Sequence, residues 1–312
     1  MYGTDKFTMS DGNINVVHHW IPDGEVKGIV LLSHGMTEYA KRYDRFGNIL
    51  NENGYALYAE DHRGHGETAK LAEENETGKF GYLADKNGFF RVTDDIHEEA
   101  LALRKQYPGK KLVLFGHSFG SFISQCFIEN YGKDIDGVVL CGTAGPGGAF
   151  VSMGALVAKI NCFFTGKKHV SKFMDKAAFG SYVKKVKNPR TPQDWLSRDT
   201  EQVDKYIADD WCGFVCTSGF FKDMTGGLVH IHKKQNMAKV PHDLPVLFID
   251  GTGDPVGAYS KTVVKLSEIY KSNGVSDVTL KLYEDARHEL LNETNKEEIE
   301  ADVLEWLGKV ID

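Results

Sequence analysis

Cysteine is scarce in this chain: five in 312 residues, an odd number without the spacing of a small disulfide framework. Cys126, Cys141, Cys162, Cys212 and Cys216 are expected as reduced thiols in a cytoplasmic protein. Cys212 and Cys216 stand four apart, and that spacing alone supplies too few ligands for tetrahedral zinc. An apolar h-region is missing from Met1 to Ser10, so no signal peptide is expected. No run reads as the roughly 18 apolar residues of a membrane span, which points to a soluble chain. A basic excess is missing too. Lys and Arg number 37 against 44 Asp and Glu, and the net charge of -7 argues against a general nucleic-acid binder. There is no internal repeat and no low-complexity segment.

The remainder is ordinary for a globular protein, 41% hydrophobic and 26% charged, and long enough for one large domain or a domain with an insertion. Strand-like runs and helical stretches alternate. Phe7–Ser10 and Ile14–Trp20 flank the hairpin signal Asp11-Gly12-Asn13. Gly28–Ser33 and Tyr55–Glu60 read as buried strands separated by a helix near Tyr43–Asn53. A helix over Phe89–Tyr107 is stopped by Pro108-Gly109, then follow a strand Lys111–Phe115, a helix Phe119–Tyr131 and a strand Gly137–Cys141. Such alternation implies an α/β protein with a mostly parallel sheet covered on both faces. It breaks at Gly145-Pro146-Gly147-Gly148 and resumes with strands at Pro245–Asp250 and Val278–Tyr283 and a helix over Lys296–Val310. The expected division is a core of residues 1–145 and 241–312, with a helical cap at 146–240.

Gly116-His117-Ser118-Phe119-Gly120 is a G-x-S-x-G pentapeptide placed between an apolar strand and a helix. A turn that tight crowds the residues two positions either side of the serine, which is where the glycines stand. The same serine could also be a helix cap, but this context favours a nucleophile. A serine hydroxyl needs a histidine base and a carboxylate to orient that base. Asp254 follows one strand end and His288 the next; His288 is the only histidine after His242. Asp250 and Asp285 are rivals for the acid, less favoured because Asp250 closes its strand and Asp285 lies too near His288. The backbone N–H groups of Phe119 and Met36 are placed to receive a developing oxyanion.

These motifs together resemble the monoacylglycerol lipases and bacterial lysophospholipase-like hydrolases, of the serine aminopeptidase S33 type. The resemblance rests on His34-Gly35-Met36-Thr37-Glu38 with Arg42-Tyr43, on Asp61-His62-Arg63-Gly64-His65-Gly66, on the pentapeptide, on Asp254-Pro255-Val256-Gly257 and on Ala286-Arg287-His288-Glu289-Leu290-Leu291-Asn292-Glu293. It implies an α/β-hydrolase fold, a cap after the sixth strand, Ser118, Asp254 and His288 as triad, Met36 and Phe119 as oxyanion amides, and ester hydrolysis without a cofactor. Ser121 and Thr68 depart from the usual glycine and serine of such motifs. The expected substrate is a monoacylglycerol, lysophospholipid or similar single-acyl-chain ester. An aryl-ester (feruloyl) esterase or peptidase on the same fold is the alternative, and a non-enzymatic binding module is the alternative of another class.

His62, His65, His117, His230 and His232 form no metal-ligand pattern, with His117 expected to face the core and His34 and Asp61 to fasten loops. Gly251-x-Gly253 lacks the rest of a dinucleotide fingerprint. From Lys159 to Arg190 nine basic residues face one acid, Asp175, with Phe163, Phe164, Phe173, Met174 and Phe179 interleaved. Either those lysines are simply solvated above a packed apolar face, or the surface meets anionic lipid or an anionic head group.

Overall fold

Four runs buried along their whole length, and a fifth buried after its first residue, form the centre of the molecule: β3 (Gly28–Ser33), β4 (Tyr55–Glu60), β6 (Gly137–Cys141), β7 (Val246–Gly251) and β5 (Lys111–His117). The structure, a computed structural model, describes residues 1–311. With β1 (Tyr2–Thr8), β2 (Ile14–Trp20) and β8 (Val278–Tyr283), these runs make one eight-stranded sheet in the order β1-β2-β4-β3-β5-β6-β7-β8. Only the β1–β2 and β2–β4 pairings are antiparallel. Register follows the apolar runs, with Leu31 opposite Leu114 and Val138 opposite Val246.

Side chains two apart share a face of a strand, and the sheet divides its core accordingly. Ile29, Leu31, Leu112, Leu114, Val138 and Phe248 pack on one side with α3 (Gly88–Gln106), α4 (Phe119–Tyr131) and α10 (Lys261–Ser272). Val30, Leu32, Val113, Phe115, Val139 and Ile249 pack on the other with α1 (Asp44–Glu52) and α11 (Lys296–Ile311). Helices α2 (Gly66–Glu74) and α10 lie in stretches the sequence reading leaves unassigned. Strand β1 ends at Thr8, and β5 continues two residues past Phe115.

Between β6 and β7 the regular elements are helical apart from one isolated bridge, Val170 to Thr217. They are α5 (Gly148–Thr165), α6 (Lys172–Phe179), α7 (Thr200–Ala208), α8 (Ser218–Ile231) and α9 (Lys234–Met237). Helix α8 is welded to the core through Phe220, Phe221 and Met224. Helix α5 overturns one expectation: by length and composition it is apolar enough to cross a membrane, and only Ala158 and Cys162 of it are buried. Glycines, alanines, Lys159 and Asn161 interrupt it, so it does not read as a continuous apolar run. A single, unreturned crossing by α5 is incompatible with the intact sheet. Strands β6 and β7, on either side of it in sequence, are hydrogen-bonded neighbours, which keeps both flanks on one side of any bilayer.

Candidate active site

Ser118 stands at the junction of β5 and α4 with φ 52° and ψ -119°, a left-handed conformation costly for a residue with a side chain. Its N–H donates to the Cys141 carbonyl oxygen at 3.0 Å, anchoring the elbow to the end of β6. The flanking glycines are required by space. A methyl group on Gly120 would overlap the Ser33 carbonyl, and one on Gly116 would overlap the Ser124 hydroxyl and the Gly120 carbonyl. Phe119 is the first residue of α4, so its N–H has no intrahelical acceptor and points out of the helix start.

Asp254 and His288 leave the ends of β7 and β8, and the structure brings them together. His288 Nδ1 lies 2.8 Å from Asp254 Oδ2, and both side chains are buried. The second Asp254 oxygen accepts the Val256 N–H at 2.8 Å. The arrangement suits an Nδ1–H of His288 donating to Asp254 Oδ2, the tautomer that leaves Nε2 with its lone pair. The ring of His288 packs 4.9 Å from that of His117, next to Ser118, and against the Gly142 backbone just past Cys141. Asp285, the more distant rival, is an exposed loop residue with φ 56°, its N–H held by the Thr252 hydroxyl.

A charged network lies behind the histidine. Glu38 Oε1 accepts the Gly35 N–H (2.6 Å), the Tyr43 hydroxyl (2.9 Å) and the His117 imidazole (3.0 Å). Its other oxygen accepts from Arg42, which forks onto both oxygens of Glu289 at 2.8 Å. Burial opposes ionisation of Glu38, but the Arg42 and His117 charges outweigh it and hold the carboxyl well below its usual range. Burial likewise opposes the His117 charge, and the Glu38 hydrogen bond and charge raise it instead. The loop that carries Met36, the residue before Ser118 and, through Arg42, the residue after His288 are thereby tied to one carboxylate. Glu38, Arg42, Tyr43 and Glu289 all stand in the sequence motifs, but nothing in the motifs signals this joint role.

His34 and Asp61 fasten neighbouring loops. His34 Nε2 accepts the His62 N–H at 3.0 Å, and Asp61 accepts the N–H groups of Ala40 and Glu67 at 2.8 and 2.7 Å. His230 packs edge-on against Phe90, and His232 lies 3.2 Å from the Ala144 carbonyl. Among the described residues no group of His, Cys, Asp and Glu could hold a metal ion.

A further covering of His288 comes from the insertion and has no sequence signal. Trp195 lies 5.1 Å from the His288 ring, and Tyr182 meets Trp195 edge-on at 4.9 Å. The strip 194–198 is stitched to the histidine loop. Arg287 donates to the carbonyls of Asp194 and Ser197, the Glu289 N–H donates to Leu196 O, and Arg198 pairs with Glu293 at 2.8 Å.

The sequence profile of the family described as "Serine aminopeptidase, S33" matches residues 24–295. The chain is 27% identical over 300 residues to a monoacylglycerol lipase of Mycolicibacterium smegmatis, covering 95% of this chain and 94% of that one. It is 28% identical over 287 residues to the monoglyceride lipase of Mus musculus, covering 91% and 82%. A thermostable carboxyl esterase from Bacillus coagulans, solved in complex with glycerol, superposes with a TM-score of 0.89 at 27% identity, covering 100% and 99%. The fold is the α/β-hydrolase fold.

Proposed function

The chain belongs to the serine aminopeptidase S33 family, and from that premise we propose a serine ester hydrolase that acts on single-acyl-chain esters through Ser118. The carrying observation is the buried 2.8 Å pair of Asp254 and His288 beside a serine in a strained left-handed elbow. The similarity to monoacylglycerol and monoglyceride lipases supports the substrate class.

Ser118 Oγ attacks the ester carbonyl carbon while His288 Nε2 takes the hydroxyl proton. The charge on the carbonyl oxygen is met by the N–H groups of Met36 and Phe119, and Asp254 stays ionised against the imidazolium. The C–O bond to the alcohol breaks, and His288 returns the proton to the departing alkoxide. Water then adds to the acyl-enzyme with His288 again as base, releasing the carboxylic acid and restoring Ser118. Neither a metal nor a cofactor enters these steps.

Residues 146–240 act as a cap in this reading, and α5 is its membrane-facing part. Phe150, Phe163 and Phe164 are 81%, 82% and 79% exposed, and lysines 159, 167, 168 and 172 lie along or beside the same stretch. An exposed apolar helix flanked by cations fits an anionic bilayer surface.

Two measurements test these proposals. Turnover of p-nitrophenyl esters of graded chain length should occur and be abolished in Ser118→Ala; tight ligand binding without turnover would instead indicate a binding module. Sedimentation with anionic and neutral liposomes at two salt concentrations should show salt-sensitive binding to the anionic ones. Equal binding to both, or none, defeats the lipid contact.

A further inference from the structure

Asp250 is the penultimate residue of β7, four before Asp254, and the mechanism above makes no use of it. Its side chain is fully buried. One carboxyl oxygen lies 2.6 Å from the Ser260 hydroxyl, and the other, Oδ1, has no hydrogen-bond partner. The same Ser260 hydroxyl lies 3.1 Å from the Gly251 carbonyl oxygen.

One hydroxyl carries one proton and cannot serve two acceptors fully. An ionised Asp250 would leave one of them underserved and strand a bare carboxylate oxygen in the interior, near a second buried carboxylate. A proton on Asp250 completes the chain instead. The acid donates to Ser260 Oγ and Ser260 donates to Gly251 O, while the Asp254 carboxylate is a second side-chain acceptor within reach of the same acid. Burial and the Asp254 charge act in the same direction, holding Asp250 well above the usual carboxylate range.

The turn closed by this chain is strained. Ala258, Tyr259 and Ser260 have φ of 53°, 60° and 61°, three consecutive non-glycine residues in the left-handed region. Such a run persists only where its surroundings hold it. The turn also carries the triad acid: the Tyr259 N–H donates to the Asp254 carbonyl at 2.8 Å, and the Val256 N–H to its side chain.

We propose that Asp250 is a positioning residue, a neutral carboxylic acid that clamps the 251–260 turn through Ser260 and leaves Asp254 as the sole negative charge facing His288. This rests on the triad reading of Ser118, Asp254 and His288. The titratable groups around Asp250 are Asp254 on its own turn and the Cys141 thiol on β6, whose ionisation burial and the Asp254 charge oppose. Beyond Asp254 stand His288, Tyr182 and Tyr259. No salt bridge reaches Asp250 among the described residues.

The test compares kcat and KM across the pH range for the wild type, Asp250→Asn, Asp250→Ala and Ser260→Ala on a short-chain p-nitrophenyl ester, with Ser118→Ala as the blank. Asn keeps the shape and the donor of a neutral acid, so Asp250→Asn should keep kcat within about threefold and leave the acidic limb of kcat/KM in place. Asp250→Ala and Ser260→Ala should lower kcat about tenfold or more with little change in KM. An Asp250→Asn variant that loses kcat about tenfold, with its acidic limb moved to lower pH, would show an ionised Asp250 and overturn the proposal. Wild-type kcat in Ser260→Ala would overturn the clamp. Should Asp250→Ala fail to fold, Asp250→Asn and Ser260→Ala decide between them. Residual turnover in Ser118→Ala would instead defeat the triad reading itself, which keeps the two failures apart.

Discussion

Four donors converge on Glu38: the Gly35 amide, the Tyr43 hydroxyl, His117 and Arg42. Removing one member of a buried charged set is costly because the others stay buried without it. Glu38→Gln should therefore lose about 3 kcal/mol of stability by chemical denaturation near pH 6, with Arg42 and His117 left facing a neutral amide. The pH dependence has two edges. Glu38, held below its usual range, contributes stability above its unfolded value and loses it as pH falls through the folded one. His117, raised, contributes below its unfolded value and loses it as pH rises through the folded one. The network is strongest between those limits, and the Gln variant should show a flatter stability profile across them. At this scale legibility follows sequence distance. Gly116 and Gly120 can be read from the pentapeptide because the crowding is local. The partnership of Glu38 with His117 and Glu289 cannot, because their meeting depends on where β5 and the histidine loop end up.

Elements were legible in proportion to how apolar they are. Gly28–Ser33, Tyr55–Glu60, Gly137–Cys141 and Val278–Tyr283 have the bounds expected of them. Strand β1, Tyr-Gly-Thr-Asp-Lys-Phe-Thr, is an exposed edge strand whose two aromatics, Tyr2 and Phe7, stand five apart and set no alternation, so its start was hidden. Helix α10 buries Val263, Leu266 and Tyr270 at helical spacing, a signal present but unassigned among lysines and serines. Helix α5 misleads for the opposite reason: its apolar residues are diluted by small ones, and only the structure shows how few are covered. Burying one Phe side chain is worth about 1.5–3 kcal/mol. Phe163→Ser with Phe164→Ser should accordingly weaken liposome binding at least about tenfold while turnover of a soluble p-nitrophenyl ester is unchanged. Loss of both together would place these side chains in the catalytic machinery instead of at a lipid surface.

Across the whole molecule, several acids are buried without the partners that would keep them ionised. Burial raises Glu129 to about 9 and holds Glu99 well above the usual carboxylate range, and both oxygens of each lack hydrogen bonds. An acid raised in the folded state stays protonated while the unfolded chain releases its proton, so stability falls as pH rises from its unfolded value to its folded one. For Glu129 that window runs from about 4.5 to about 9. Glu129→Gln should gain on the wild type across it, starting near parity at pH 4.5 and reaching about 2 kcal/mol or more at pH 8. Thermal denaturation at several pH values checks the slope, and a constant offset would refute it. The adjacency of β6 and β7 has a consequence of another kind. Everything from Gly142 to Pro245 hangs from two strands about 5 Å apart, so its two feet nearly touch. A segment anchored this way can lengthen, shorten or be exchanged whole at little cost in closure entropy and with no shift in sheet register. The chemistry around Ser118 and the choice of what reaches it can therefore be inherited separately, and a transplant cut at those two feet would move one without the other.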